Sequence, residues 1–224
     1  ETIAREIGVI APMISFTSGG SEANNLAIKN APVERLLISA IEHPAVIESA
    51  KAAYKPAEFI PVTPQGVVDL EALAKLLEGP KALVSVMLAN NETGVIQPLR
   101  EVVALAQAHG ALVHTDAVQA FGKIPVNFGL LGVDMMTIAA HKIGGPTGIG
   151  ALVVRDGLPL EPLVHGGGQE LRRRAGTENL VGIAGFAAVA RERQLDVRAL
   201  QAQLEEALAD AVIFGGDAPR LSST

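Results

Sequence analysis

The chain has no cysteine. Disulfides and thiolate metal sites are therefore excluded within these residues, although this alone does not fix a compartment. Surplus positive charge is lacking too. Eighteen Lys and Arg face 24 Asp and Glu, for a net charge of -6. That leaves no electrostatic footprint for nucleic acid. The one basic cluster, Arg172-Arg173-Arg174, is too short for such a patch and reads as a solvated turn. No apolar run reaches the roughly 18 residues of a membrane span. Internal repeats, low-complexity tracts and flexible linkers are also missing. Residue 1 is Glu rather than Met, which points to a start inside a longer protein and leaves a removed targeting segment open.

What is present is apolar. Hydrophobic residues make up 49% of 224, enough for one large domain or one domain plus part of another. Such a composition argues against disorder. Runs of strand length lie at 13–17, 36–40, 59–62, 82–88, 111–114, 133–140 and 149–155. Helical patterns lie between them at 22–29, 45–54, 70–77 and 99–109, the third capped by Asp69. The stretch 180–210 reads as one long helix, broken in polarity near Gln194, and 211–214 as a last strand. Strands apolar throughout, alternating with helices, predict a three-layer α/β/α fold with a mostly parallel sheet. In such sheets ligands collect beyond the carboxyl ends of the strands.

Those ends carry the chemistry. Ala139-Ala140-His141-Lys142 closes an apolar run and leads into a loop holding Gly144, Gly145, Pro146, Gly148 and Gly150. A lysine at a strand mouth is expected to lose solvation, which favours its neutral form. A neutral amine is the nucleophile that condenses with a carbonyl. The turn Ser18-Gly19-Gly20-Ser21 opens a helix, with Ser18 or Ser21 as its N-cap, and is an anion cradle. Asp116 ends a strand and reads equally as a functional acid or as the N-cap of a helix at 117–121. His43, ahead of Pro44, reads as a loop residue unless a ligand lies beside it.

Together these groups ask for a ligand with a carbonyl, an anionic end and a cationic ring nitrogen. Pyridoxal phosphate has all three. His43 could supply the flat ring above it. Two other readings are weaker. The 144–150 loop lacks the Gly-Lys-Ser/Thr ending of a nucleotide phosphate loop. No metal site is expected: His109 ends a helix, His114 reads as a packed core residue, and His165 as structural.

Five stretches carry a family resemblance: Phe16-Thr-Ser-Gly-Gly-Ser-Glu-Ala-Asn-Asn-Leu-Ala-Ile-Lys29, Ala89-Asn-Asn-Glu-Thr-Gly-Val95, His114-Thr-Asp-Ala-Val-Gln-Ala120, Ala140-His-Lys-Ile-Gly-Gly-Pro146 and Arg174-Ala-Gly-Thr-Glu-Asn179. In this order they resemble the cysteine desulfurases, in the class V branch of the fold type I pyridoxal phosphate enzymes. The resemblance implies catalytic roles for Lys142 and His43. Lys142 would bind the cofactor aldehyde and move a proton, while His43 would cover the ring. Asp116 would face the ring nitrogen, and Asn91 and Gln119 the ring hydroxyl. Gly20, Ser21 and His141 would hold the phosphate. Thr177 would reach the phosphate of the other subunit of a homodimer, on a loop that Arg174 shapes.

The resemblance further implies L-cysteine as substrate, alanine as product, and sulfur passed as a persulfide to an acceptor scaffold protein for iron-sulfur cluster or thio-cofactor synthesis. It implies a cytoplasmic location. Two departures stand out. Ala139 occupies a position where the family often has a phosphate-binding serine. The sulfur-accepting cysteine and a late substrate-binding arginine belong to a C-terminal region these residues lack. Residues 1–195 are thus expected to form the cofactor-binding large domain. Residues 196–224 would be a linking helix and the start of a small domain. A selenocysteine lyase, an aminotransferase or a non-catalytic scaffold on the same fold are the alternatives.

Overall fold

A computed structural model describes residues 1–192, 195–208 and 210–223. Helix α1 (Thr2–Glu6) leads to strand β1 (Ile14–Thr17), helix α2 (Gly20–Asn30) and strand β2 (Arg35–Ser39). Helix α3 (Pro44–Lys51), strand β3 (Ala57–Ile60), helix α4 (Leu70–Leu76) and strand β4 (Ala82–Ser85) follow. Then come α5 (Leu99–Ala108), β5 (Leu112–Asp116), α6 (Phe128–Leu131), β6 (Met135–Ala139) and β7 (Gly150–Val154). Helices α7 (Leu180–Val189) and α8 (Arg198–Ala207) complete the order.

The seven strands form one sheet in the order β1-β7-β6-β5-β4-β2-β3. Five neighbouring strands, β6 to β3 in that order, run parallel. Only β7 reverses, antiparallel to both β1 and β6. Side chains alternate between the faces, as the strand period of two requires. Leu37, Val84, Val113 and Met136 pack with α1, α4, α5 and α7. Leu36, Ile38, Leu83, Leu112 and Met135 pack with α2 and α3. The three-layer fold expected from the sequence is therefore present.

Several local expectations need correction. The stretch 180–210 is two helices, not one. Residues 195–197 between them are not helical; Arg193 and Gln194 lie outside the described residues. Just ahead of the second helix, whose N-cap is Val197, an exposed Asp196 accepts from the Arg198 N–H at 3.1 Å and pairs with its guanidinium. Residues 211–214 form no strand. The sheet's edges are taken by β1 and β3, and Val212 and Phe214 are left exposed. Residues 117–121 make a turn rather than a helix. Asp116 still accepts from the Val118 N–H at 2.9 Å, so half of the capping expectation survives.

The C-terminal segment folds back on the sheet. Val95 bridges Arg220, and Leu221 is buried in the larger core. At the far end of the core, Phe186 of α7 meets Phe121 edge to face at 6.0 Å. This contact pins a helix that is otherwise apolar all round.

His114 is indeed a core residue. Its Nδ1 pairs with Ser85 Oγ at 2.9 Å and its Nε2 with Thr137 Oγ1 at 3.1 Å. Burial lowers its pKa from 6.5 to about 3. Between those values the unfolded chain takes up a proton that the folded chain refuses, so stability falls as pH falls. The expected cost is about 1.4 kcal/mol per pH unit across that window. Urea unfolding at a series of pH values checks this. The His114→Gln chain should lose this component of the slope; equal slopes in both chains would contradict it.

Candidate active site

The parallel strands β1, β2, β4, β5 and β6 all end on one edge of the sheet, and a cleft of about 610 Å³ opens there. Gly20, Ser21, His43, Asn91, Asp116, Gln119, His141 and Lys142 all line it. Eight of the nine residues singled out from the sequence are thus brought together. Thr177 is not among them; it stands exposed on the loop before α7. A second cleft of similar size, walled by α6 and the 121–127 segment, holds none of the nine.

Asp116 is the floor. Its Oδ2 accepts from Asn24 Nδ2 at 2.6 Å and its Oδ1 from the Val118 N–H. Neither donor carries a positive charge. Burial pushes the Asp116 carboxyl above its ordinary value, and the two hydrogen bonds and the nearby His43 pull it back. Sequence reasoning missed Asn24. Its signal was a polar residue on the same helical face as Ala23, Leu26 and Ala27, all buried.

The anion cradle is built by close backbone approach. Gly19 is the N-cap of helix α2, with no side-chain cap, so neither Ser18 nor Ser21 fills that position. Instead Glu22 reaches back to accept from the Ser18 N–H at 2.8 Å. Burial disfavours the Glu22 charge, but the Arg174 guanidinium at 2.9 Å and the Ser18 N–H outweigh it and hold the carboxyl below its usual value. Arg174 therefore ties its loop to the rim of the cleft. The turn is pressed on Gly150, where a Cβ would lie 2.6 Å from the Gly19 carbonyl carbon.

Lys142 lies on a short 3-10 turn after β6, beside His141. Both side chains are exposed. The expected desolvated lysine at a strand mouth is corrected here: the turn carries the side chain out over the rim. Partial desolvation at the rim lowers the His141 pKa, helped by the charges of Lys142 and His43. His43 caps α3, its Nδ1 accepting from the Ala45 N–H at 3.0 Å, which orients the ring. Gln119 accepts from Lys123 Nζ at 2.9 Å through its Oε1, leaving its amide N–H groups for the cleft. Asn90, also missed from the sequence, braces the turn below Asn91 by accepting from the Glu92 and Thr93 N–H groups at 2.9 Å.

These residues fit a pyridoxal phosphate. A buried carboxylate with only neutral donors suits a cationic ring nitrogen, and an uncapped helix start suits a phosphate. An amine and two imidazoles stand above that floor.

The family model for class V aminotransferases matches residues 1–212. The chain belongs to the class V aminotransferase family. Members of this family and its cysteine desulfurases depend on pyridoxal phosphate. Cysteine desulfurase IscS of Dictyoglomus turgidum is 45% identical over 195 residues, 83% of this chain and 50% of that protein. A NifS-like protein of Rickettsia africae superposes with a TM-score of 0.92 at 38% identity, over 99% of this chain and 66% of its own. SspA, solved in complex with cysteine, matches at 0.88 and 31% identity, over 97% and 66%. The chain spans 48 to 60% of the length of the curated relatives it matches.

A methyl group at position 150 must displace the Gly19 backbone. Gly150→Ala is expected to destabilise the chain by roughly 1–3 kcal/mol, the usual cost of overpacking. Urea unfolding midpoints measure it. An unchanged midpoint would mean that the Ser18–Ser21 turn is free to back away.

Proposed function

We propose that the cleft holds pyridoxal phosphate and that the whole protein is a cysteine desulfurase. One observation carries the reading. An amine, a buried acid and a bare helix start open into a single cleft. The named relatives and the cysteine bound to SspA support L-cysteine as the substrate.

When bound, the cofactor supplies an aldehyde for an amine and a ring that withdraws electrons. The chain's own residues do the rest. Lys142 would hold the aldehyde through its amine and would serve as the base for the substrate's α-proton. Asp116 holds a proton on the ring nitrogen, which the Asn24 and Val118 hydrogen bonds help by favouring its anionic form. Gly20, Ser21 and His141 bind the phosphate. His43, fixed by its capping bond, covers the ring face. The Gln119 amide N–H groups and Asn91 address the ring hydroxyl.

With Ala139 in the strand before Lys142, no hydroxyl from that position reaches the phosphate. The thiolate that accepts sulfur, and the arginine that clamps the substrate carboxylate, come from outside these 224 residues. Residues 1–195 are the cofactor-binding domain, and 196–224 lead toward a smaller one. The uncovered leucines Leu200 and Leu204 of α8, with Leu208 at its C-cap, support that division. Thr177 would serve the phosphate of a second subunit of a homodimer, a role that its exposure supports. A sulfur-acceptor scaffold and a cytoplasmic location accord with the same reading.

Visible absorption tests it. The chain mixed with pyridoxal phosphate should develop a visible band, and borohydride should bleach it and fix the label on Lys142. Lys142→Ala should show neither. A wild-type chain that stays colourless would defeat the reading and favour a scaffold. With the full-length protein, L-cysteine should yield alanine without a keto-acid co-substrate; a keto-acid requirement would instead indicate an aminotransferase.

A further inference from the structure

A second acid lies under the floor of the cleft, and the reactions above make no use of it. Glu42 sits in the turn between β2 and α3, one residue before His43, and is 5% exposed. Its Oε1 accepts a hydrogen bond from the Met87 N–H, just past the end of β4. Its Oε2 is buried with no protein partner. On the neighbouring residue, Ile41, the backbone oxygen accepts from Asn90 Nδ2 at 3.0 Å. The 41–43 turn is thereby tied to the 87–93 segment. Met87 and Asn91 of that segment, together with His43, line the cleft.

Two carboxyl groups that share one dry interior do not both ionise without cost. Hydrogen bonding decides which one gives way. Asp116 receives one N–H on each oxygen, which favours its anion. Glu42 receives a single N–H, and its second oxygen has nothing to stabilise a negative charge. An uncharged acid leaves only a neutral O–H unpaired there, which costs far less than burying an unpaired charge.

We infer that Glu42 is a positioning residue that stays a neutral carboxylic acid, joins the His43 turn to the β4 end, and leaves Asp116 as the one anion on the cleft floor. Burial, and after it the Asp116 charge, push the Glu42 carboxyl well above the usual carboxylate range, with the Met87 hydrogen bond only partly opposing. His43 acts in the other direction on Asp116, favouring its charge. The protonation itself is a property of the empty chain. Its consequence, a single negative charge kept for a ring nitrogen, rests on the cofactor reading above.

Isotope-edited infrared spectroscopy of the cofactor-free chain at neutral pH tests the inference. With carboxyl-labelled glutamate, the spectrum should hold a protonated-acid carbonyl band that disappears in Glu42→Gln and persists in Asp116→Asn. With labelled aspartate no such band should appear. A missing glutamate band, or a protonated aspartate in its place, overturns the inference without touching the cofactor reading. The same wild-type chain separates the two: if it shows the glutamate band but never takes up pyridoxal phosphate, the cofactor reading fails and the inference stands. For the positioning role, Glu42→Ala leaves the Met87 N–H buried and unpaired and should weaken uptake of added pyridoxal phosphate about tenfold. Glu42→Gln, which keeps the acceptor oxygen, should restore it to within about threefold of wild type. Equal losses in both variants would overturn that role.

Discussion

A carboxylate buried at the end of β5 constrains everything around it. Removing an ion from water costs several kcal/mol unless hydrogen bonds replace the lost solvation. Asp116 takes one such bond from its own turn and the other from Asn24, 92 residues earlier in the chain. The second bond crosses layers. It fastens α2 to the sheet's rim at the place where the helix presents its bare start. The amide that favours the acid's charged form is therefore also the tether that positions the anion cradle.

The reversed strand supplies the other half of the geometry. Gly150 pairs with Thr17 on one side and with Ala139 on the other. One residue thus stands between the end of β1, which opens the cradle, and the end of β6, which delivers Lys142. Strands lie about 4.8 Å apart, so the two ends face each other across about 10 Å. A side chain at 150 would push them apart. Glycine there lets Gly19 settle directly on the strand.

Charge is distributed in layers around that frame. Beneath the floor lies a neutral acid, on it an anion, and above it an amine and two imidazoles. At the rim Glu22 pairs with Arg174. The arrangement suits a molecule that is cationic in its ring and anionic at its end, which is the chemistry shared by the class V family.

Much of this was legible in the sequence by itself. Apolar strand runs alternating with helices specify a covered sheet, because only full burial on both faces tolerates such runs. Glycine turns and polar residues at strand ends specify where a ligand would gather, since all parallel strands point their carboxyl ends one way. Tertiary structure decided what depends on neighbours distant in the chain. The solvation of Lys142 follows from the turn that carries it outward, not from the apolar run before it. Residues 211–214 look like a strand, yet β1 and β3 form both edges of the sheet and leave them unpaired. Asn24 and Glu42 look like ordinary polar residues in a helix and a turn. Their importance comes from the buried charge of Asp116, brought to them only when the layers close.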